Sequence, residues 1–152
     1  MRFNESVFDC ATRINEFVAA HMRDVPGSTS VLTTAAEAFA QATGVCKDYA
    51  HIMVAIANAC GIAARHVSGQ LIGEGGTHAW VEILALATDP TSAIVWAFDP
   101  TRARCTNLDY VFIAAGRDFA DVNLTSGRFI APFVGEFSTS RSVDRISIEY
   151  AA

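Results

Sequence analysis

Charged side chains are scarce in this sequence, and the basic ones are the scarcer kind. Only 18% of the 152 residues are charged, and 11 lysines and arginines against 16 aspartates and glutamates give a formal net charge of −5 at pH 7. Surfaces that bind nucleic acid or anionic lipid concentrate basic side chains. The composition therefore excludes nucleic acid as a partner and gives no basis for binding to an acidic membrane surface.

The chain also lacks a long uninterrupted apolar run. A secretory leader or a membrane span needs a continuous apolar segment. We therefore predict a cytoplasmic protein that neither enters nor crosses a membrane. In positions 1–25 every apolar stretch is interrupted by polar or charged residues, namely Asn4, Glu5, Asp9, Arg13, Asn15 and Glu16.

Cysteine is present, but without the spacing that indicates a structural site. Histidines at 21 and 66 do not stand at a recognised metal-ligand spacing from any cysteine either. These patterns argue against a zinc site and against a disulfide framework, so we expect reduced thiols, no bound metal and no cofactor. The four cysteines, none of them in a CxxC pair, are Cys10, Cys46, Cys60 and Cys105.

Apolar residues, by contrast, are abundant. They make up 51% of the chain, and a chain of this length buries roughly 68–70% of the surface that it exposes when unfolded. The sequence contains no repeat, no linker and no low-complexity segment. We predict one domain spanning 1–152 and built around a single core.

Helices are predicted only in the first part of the chain. Apolar residues recur there at steps of three and four, which indicates amphipathic helices. Thr34 and Glu37 have the spacing of a capping box and mark the start of the second helix, and Gly61 is expected to end the third. The predicted helices cover 5–23, about 34–42, and the segment from near Cys46 to Gly61.

Strands are predicted for the remainder, where short apolar runs are bounded by turn residues. A Gly-rich turn over 73–77 directly precedes His78. Helices followed by a run of strands indicate an α+β domain, with an antiparallel sheet packed on the helix that carries Cys46. The predicted strands cover 63–72, 78–86, 93–99, 109–114, 128–137 and 142–150.

Cys46 is a candidate nucleophile because of its place at the start of the third predicted helix. Unpaired backbone N–H groups and the positive end of the helix dipole favour a thiolate there. The same N–H groups would face the oxygen of a tetrahedral acyl intermediate. The alternative is a small buried side chain, a role that suits Cys60, at the far end of the same helix, better.

His78 and Asp99 are the candidate base and orienting carboxylate. His78 begins a strand, and Asp99 ends an apolar strand directly before Pro100. Taken singly, a strand histidine is usually a packed residue and an aspartate before proline is usually a turn residue. On neighbouring strands, however, the carboxylate can accept a hydrogen bond from the imidazole and stabilise its cation. With Cys46 they complete the set that thiol acyl transfer requires.

Three other polar residues near these positions are weaker candidates. His51 lies too far along its helix to share a proton with a thiol at the helix start. Asp48 is expected to stabilise the helix N-terminus through the dipole. Glu82 lies roughly 13 Å along the strand from the candidate base, at about 3.3 Å per residue, and is a sheet-surface or substrate-facing residue.

Four sequence blocks together resemble the core of the bacterial transglutaminase-like superfamily. They occur in the family's order over roughly positions 40–125, so chance agreement is improbable. A further segment, GRDFADV at 116–122, resembles the part that follows in the family. The four blocks are GVCKDYAH at 44–51, GIAARHVSG at 61–69, THAWVE at 77–82 and FDPT at 98–101.

The resemblance implies a papain-like fold in which Cys46 is the nucleophile, His78 the general base and acid, and Asp99 the orienting residue. The family includes protein cross-linking acyl transferases, but its bacterial members resemble proteases or amidases more often. The resemblance therefore implies a cysteine hydrolase or acyltransferase that acts on a peptide or protein substrate.

Departures from the family's pattern concern the cleft rather than the triad. Bacterial members commonly have Gln and Tyr where this chain has Lys47 and His66. Together with Trp80, which shares a strand face with the candidate base, these are the predicted substrate-binding residues. Gln41, just upstream of the candidate nucleophile, is a candidate donor to the oxyanion, and the alternative is a solvated residue at a helix end.

Many relatives also carry an N-terminal β-rich region ahead of the core, which this chain is expected to lack. An apolar surface left uncovered by that absence favours self-association, so a homodimer is a candidate assembly.

Two classes of function fit these residues. The first is a thiol enzyme, for which hydrolysis is expected over amine transfer because amine transfer requires a site that excludes water. The second is a binding or scaffold module that keeps the three residues as a remnant. Since the fold itself does not require all three, we expect the enzyme.

Overall fold

The computed structural model describes residues 6–87 and 91–123, together with residues 130, 132, 133 and 135. Within these ranges the helices are α1 (Val7–His21), α2 (Ala35–Gln41), α3 (Cys46–Ala59) and α4 (Phe119–Val122). The strands are β1 (Arg23–Asp24), β2 (Thr43–Gly44), β3 (Ala63–Leu71), β4 (Thr77–Leu86), β5 (Ala93–Asp99), β6 (Arg104–Cys105) and β7 (Tyr110–Gly116).

Side-chain caps define the starts of the first two helices. The Ser6 hydroxyl accepts a hydrogen bond from the backbone N–H of Asp9 at 3.1 Å. At α2 the capping box is present in full: Thr34 Oγ1 accepts from the N–H of Glu37 at 3.3 Å, and Glu37 Oε2 accepts from the N–H of Thr34 at 2.8 Å. These bonds satisfy N–H groups that have no partner inside the helix. The predicted capping box is confirmed.

Five strands form one antiparallel sheet in the order β6-β5-β4-β3-β7. In this sheet Gly69 on β3 pairs with His78 on β4, Leu71 on β3 pairs with Tyr110 on β7, and Val81 on β4 pairs with Phe98 on β5. The start of β4, the end of β5 and the start of β7 therefore lie at the same end of the sheet.

The core lies between this sheet and the helices α1 and α3. Phe8 of α1 packs against two aromatic rings of β5, with ring centroids 5.4 Å from Trp96 and 5.6 Å from Phe98. Met53 of α3 and Val81 of β4 are fully buried in the same cluster. The predicted α+β architecture, with the Cys46 helix packed on an antiparallel sheet, is confirmed.

A short parallel pair fixes the entry to α3. Strand β1 pairs with β2, and the N–H of Val25 donates to the carbonyl of Gly44 at 3.0 Å. Gly44 approaches α3 so closely that a Cβ at this position would lie 2.7 Å from the Cβ of Asp48. Only glycine fits between β2 and the first turn of α3 without displacing Asp48.

The predicted and observed elements agree closely up to β7. Strands β1, β2 and β6 and helix α4 were not predicted, because two to four residues carry too little pattern to be read from sequence. The predicted strand over 142–150 lies outside the described residues. Of the predicted strand over 128–137 the structure describes only residues 130, 132, 133 and 135, which are not in a strand. Among the described residues, no helix has both the length and the apolar character that a bilayer crossing needs.

Candidate active site

Cys46 is the first residue of α3. Val45 before it has an extended backbone and forms the N-cap, with φ −120° and ψ 178°. The Cys46 side chain is half-buried, and its thiol is one of the groups that raise the pKa of the His78 imidazole. The thiol therefore lies at the N-terminus of α3 and acts on the imidazole at the start of β4.

His78 and Asp99 are joined by a short hydrogen bond between β4 and β5. The Nε2–H of His78 donates to Oδ2 of Asp99 at 2.8 Å. His78 is 5% exposed and Asp99 is fully buried. Thiol, imidazole and carboxylate thus lie together in the order Cys46, His78 and Asp99, and Asp99 occupies Nε2 of the imidazole.

The surroundings of His78 favour its protonated form. Burial acts to lower its pKa, but hydrogen bonds and charge from Asp99 and Cys46 outweigh burial and raise the pKa from 6.5 to about 9. Burial likewise acts to raise the pKa of Asp99, yet its hydrogen bond and charge interaction with His78, and bonds from other donors, hold that pKa below 3.8. At neutral pH the pair is therefore an imidazolium and a carboxylate.

Two further donors hold the Asp99 carboxylate. The Tyr110 hydroxyl donates to Oδ2 at 2.6 Å, and the backbone N–H of Thr101 donates to Oδ1 at 2.9 Å. Arg104 in turn donates from Nε to the Tyr110 oxygen at 3.1 Å. Burial and the bond to Asp99 raise the pKa of Tyr110 to about 12, so the phenol keeps its proton.

An ion pair between Glu74 and Arg102 crosses the outer side of the site. Glu74 lies in the turn between β3 and β4, with Oε2 3.9 Å from Nδ1 of His78. Arg102 lies in the turn after β5, with Nε 3.7 Å from Oδ2 of Asp99. The four side chains close a ring of alternating charge around the His78–Asp99 hydrogen bond.

Asn15 of α1 supports the turn between β5 and β6 from the side of the core. It is buried, at 2% exposure. In the amide orientation that satisfies both groups, its nitrogen donates to the carbonyl of Asp99 at 3.3 Å and its oxygen accepts from the N–H of Arg104 at 3.2 Å. Asn15 therefore ties the end of β5 and the start of β6 to α1.

Lys47 and His66 are both buried, and their predicted place beside a substrate stays a prediction. Lys47 forms an ion pair with Asp48, whose Oδ2 also accepts from the N–H of Val45 at 2.9 Å. The His66 ring packs 4.9 Å from the ring of His51, and burial together with His51 lowers its pKa to about 4. Both side chains belong to the packing behind α3.

Trp80 is also buried, at 3% exposure, and its predicted contact with a substrate stays a prediction. Its ring covers Gly69, where a Cβ would lie 2.4 Å from Cη2 of the indole. The ring centroid is 5.5 Å from that of Tyr110, edge to face. Trp80 therefore supports the Tyr110 ring. Gln41 is the exposed last residue of α2, and its part in an oxyanion hole stays a prediction.

The weaker candidates have structural roles, as the sequence predicts for Asp48 and His51. His51 Nε2 accepts from the backbone N–H of Phe119 at 2.6 Å and so anchors α4. Glu82 forms an ion pair with Arg65 on the neighbouring strand at 2.5 Å. Within the described ranges, no group of three histidine, cysteine or acidic side chains is placed to hold a metal ion.

A cavity of about 610 Å³ lies away from the triad. It is bounded by the segment before α2, by the middle of α3 and by the start of α4, and its lining includes Val31, Leu32, His51 and Phe119. None of Cys46, His78 or Asp99 lines it.

Sequence reasoning did not find Tyr110, Arg104, Glu74, Arg102 or Asn15. Each reaches the site through a turn, a strand order or, for Asn15, the packing of α1, none of which spacing along the chain reveals. Tyr110 offers the one usable signal, an aromatic residue with a hydroxyl at the start of a predicted strand, but its neighbour Asp99 lies two strands away in chain order.

The chain belongs to the transglutaminase-like superfamily, whose sequence profile matches residues 2–90, more than half of its length. It is 31% identical over 130 residues to the uncharacterized protein ML0607 of Mycobacterium leprae, covering 79% of this chain and 41% of that protein. It is 33% identical over 108 residues to the uncharacterized protein Mb2599c of Mycobacterium bovis, covering 63% of this chain and 34% of that protein.

Solved structures show the same fold. A proposed cysteine protease from Cytophaga hutchinsonii superposes with a TM-score of 0.67 at 29% identity, covering 78% of this chain and 39% of that one. Legionella pneumophila LapG superposes with a TM-score of 0.60 at 14% identity, covering 74% of this chain and 66% of that one. The chain thus spans about two fifths of the length of the first of these structures. At the level of the family, the matches support a cysteine-dependent enzyme.

Proposed function

We propose that this chain is a thiol hydrolase domain that cleaves peptide or glutamine-type amide bonds through a thioester on Cys46. The observation that carries this proposal is the 2.8 Å hydrogen bond between His78 and Asp99, with the Cys46 thiol at the start of α3 acting on the same imidazole. Membership of the transglutaminase-like superfamily supports it. The substrate is proposed to be a peptide or a protein.

The protonation state of His78 suits the first half of the reaction. With a pKa of about 9, His78 is an imidazolium at neutral pH. An imidazolium beside the sulfur stabilises a thiolate, which is the reactive nucleophile. The place of Cys46 at the N-terminus of α3 adds the favourable end of the helix dipole.

Acylation then follows from the geometry. Cys46 Sγ attacks the carbonyl carbon of the amide and forms a C–S bond, while charge develops on the carbonyl oxygen. When the C–N bond breaks, His78 transfers a proton from Nδ1 to the departing amine. The neutral imidazole that remains keeps its Nε2–H on Asp99, which fixes the tautomer needed for the next step.

Deacylation reverses the roles of His78. A water molecule attacks the thioester carbonyl and gives a proton to Nδ1, the C–S bond breaks, and the acid product leaves the thiolate–imidazolium pair restored. Amine transfer would use an amine in place of this water. Hydrolysis is the proposed outcome because amine transfer requires a site that excludes water and binds an acceptor amine.

Thiol labelling tests the proposed nucleophile. The background variant C60S/C105S removes the two exposed cysteines, so that Cys46 and the buried Cys10 are the thiols that remain. We expect iodoacetamide to alkylate Cys46 at neutral pH at least roughly tenfold faster than Cys60 in the matched variant C46S/C105S. We expect His78→Ala to remove most of that difference. Equal rates for Cys46 and Cys60 would contradict the proposal.

A peptide library, with and without an amine probe, then separates the reactions. Cleavage that depends on Cys46 and yields free acids identifies a hydrolase. Incorporation of the probe at glutamine side chains identifies amine transfer instead. Peptide binding without turnover, combined with an unreactive Cys46, would identify a binding module, which is the alternative that the intact set of Cys46, His78 and Asp99 argues against.

A further inference from the structure

Tyr110 approaches the triad from a strand that carries none of its members. It is the first residue of β7, and strand pairing places it opposite Leu71 at the same end of the sheet as His78. Its hydroxyl donates to Oδ2 of Asp99 at 2.6 Å, the same oxygen that accepts from His78 at 2.8 Å. One carboxylate oxygen therefore binds both the imidazole and the phenol.

Arg104 decides which way the Tyr110 hydroxyl points. Its Nε–H donates to the phenol oxygen at 3.1 Å, and its guanidinium carbon lies 5.5 Å from the centroid of the same ring. A guanidinium can only donate hydrogen bonds. With Arg104 occupying a lone pair of the oxygen, the hydroxyl hydrogen is directed to Asp99.

The Tyr110 ring itself is held between two aromatic neighbours. Its centroid lies 5.5 Å from that of Trp80 and 5.8 Å from that of His78. Trp80 in turn is fixed over Gly69, which has no side chain to displace it. The hydroxyl is therefore presented from a rigid support rather than from a mobile surface side chain.

We propose that Tyr110, aimed by Arg104, is a positioning residue that keeps Asp99 ionised and in line with His78. This inference rests on the proposed thiol chemistry, in which Asp99 must stay a carboxylate to orient the imidazole. A donor to a carboxylate stabilises the charged form, and this matters most where burial opposes ionisation.

Other groups also act on Asp99, so the share due to Tyr110 must be isolated. Thr101 donates through its backbone, and Arg102 places a positive charge 3.7 Å from Oδ2. Neither the Thr101 N–H nor the Arg102 guanidinium is removed when the phenol oxygen is lost. The titratable and charged groups around Asp99 are Cys46 of α3, Glu74 of the β3–β4 turn, His78 of β4, Arg102 of the turn after β5, Arg104 of β6 and Tyr110 of β7.

The test is the pH profile of Cys46 modification in the C60S/C105S background, with a pyridyl disulfide that remains reactive in acid. In Tyr110→Phe the ring stays and one donor to Asp99 is lost. We expect the acidic limb of the profile to move up by about 0.5–1 pH unit, because Asp99 then takes up its proton at higher pH. If Tyr110 had only a structural role, Tyr110→Phe would lower the modification rate of Cys46 or the melting temperature, and the acidic limb of the pH profile would stay in place.

Two further variants make the assignment specific. Arg104→Met keeps the phenol but no longer fixes the direction of its hydroxyl. The acidic limb of the pH profile of Cys46 modification should therefore move up as in Tyr110→Phe, by a smaller amount. In a Tyr110→Phe background the same Arg104 change should have no additional effect, since both act through one hydroxyl. Tyr49→Phe, which removes a hydroxyl from the buried part of α3, is the matched control and should leave the limb unchanged.

The outcomes separate this inference from the proposed function. If Cys46 is no more reactive than Cys60 in the unmodified network, the proposed function is wrong. If Cys46 is selectively reactive but Tyr110→Phe and Arg104→Met both leave the acidic limb where it was, the thiol chemistry stands and the role of Tyr110 is overturned. Because Arg104 is exposed, its variant remains informative even if Tyr110→Phe does not fold.

Discussion

The buried Asp99 carboxylate is stabilised by groups from several elements at once. His78 and Tyr110 donate to Oδ2, and the backbone of Thr101 donates to Oδ1. An isolated carboxylate in the interior would be protonated, because burial disfavours its charge. Here the donors reverse that preference, so the fold keeps a negative charge beside the imidazole at neutral pH. The chemistry of His78 is a consequence of this arrangement.

Replacing Asp99 by Asn tests that dependence. The amide keeps the shape of the side chain but removes the charge, so burial should then dominate and the pKa of His78 should fall from about 9 to 6.5 or below. With a neutral imidazole at pH 7.5, alkylation of Cys46 should slow by roughly tenfold or more. The pKa is measured from the ring-nitrogen resonances of ¹⁵N-histidine-labelled protein, and the rate with iodoacetamide.

Asp121→Asn is the matched control, because Asp121 pairs with Arg117 at the surface and has no contact with His78. It should leave both the titration and the alkylation rate unchanged. A His78 titration in Asp99→Asn that coincides with that of the unmodified protein would show that Asp99 does not control the imidazole.

Single residues could be predicted where the chemistry depends on residue type and on position within an element. Cys46, His78 and Asp99 lie together because each stands at an element end that sequence patterns reveal. Lys47 was assigned to the cleft from the family's pattern and Trp80 from the strand face that it shares with His78, and both are buried. The direction of a side chain next to a helix start depends on packing against other elements, which spacing does not report.

Two turns, one after β3 and one after β5, place an ion pair beside the site. Glu74 from the first lies 3.9 Å from Nδ1 of His78, and Arg102 from the second binds Glu74. Nδ1 is the ring nitrogen that remains for the thiol, because Nε2 donates to Asp99. Arg102 therefore holds a carboxylate that would otherwise compete with the Cys46 thiolate for the imidazolium proton.

Arg102→Gln should release Glu74 towards His78. We expect the alkylation rate of Cys46 at pH 7 to fall by roughly 2–5-fold, the size that partly exposed ion pairs usually support. The double variant R102Q/E74Q should restore the rate, because the competing charge is gone. Added salt should weaken the effect of Arg102→Gln, since both side chains are about 40% exposed. If the single and double variants have the same rate, Glu74 does not compete for His78.

The positions of helices and strands along the chain could be predicted better than the order of the strands in the sheet. The bounds of α1, α3, β3, β4 and β5 agree with hydrophobic periodicity within about two residues, because each buries a regular stripe or face. The strand order β6-β5-β4-β3-β7 did not follow from the sequence. It brings β7 to the far side of β3, and with it the Tyr110 hydroxyl, which is why that contact escaped prediction.

In the whole molecule the triad depends on contacts between distant segments. The family profile covers residues 2–90 and so contains Cys46 and His78 but not Asp99. Asp99 joins them through the pairing of β4 with β5 and through Asn15 of α1. The geometry of the site is thus a property of the assembled sheet and helices, and loss of any one of these contacts should affect all three residues.

Self-association stays a prediction at this scale, and the sheet suggests where to test it. Leu84 and Val95 pair across β4 and β5 and are 47% and 49% exposed, and Leu86 beside them is 82% exposed. We expect the homodimer, if it uses this face, to weaken in L84K/V95K, because two buried charges oppose association. Sedimentation velocity over a range of concentrations measures this. Leu32→Lys, at an exposed position before α2, is the control, and a monomer at every concentration would contradict the prediction.

Stability should depend on pH through two histidines with opposite shifts. The pKa of His78 is raised to about 9, so its stabilising effect is complete below 6.5 and is lost as the pH rises from 6.5 through about 9. The pKa of His66 is lowered to about 4 by burial and by His51, so the unfolded chain takes up a proton first as the pH falls from 6.5 towards 4. Both effects place the maximum of stability near pH 6.5.

Urea unfolding at intervals between pH 4.5 and 9.5, a range set by these two pKa values, measures the two limbs separately. Each histidine can contribute a slope of at most about 1.4 kcal/mol per pH unit. His78→Gln should flatten the alkaline limb and leave the acidic one, while His66→Phe, which fills the same aromatic cluster without a titrating group, should flatten the acidic limb alone. An acidic limb that persists unchanged in His66→Phe would mean that other groups, His51 foremost, destabilise the protein in acid, since burial lowers the pKa of His51 as well.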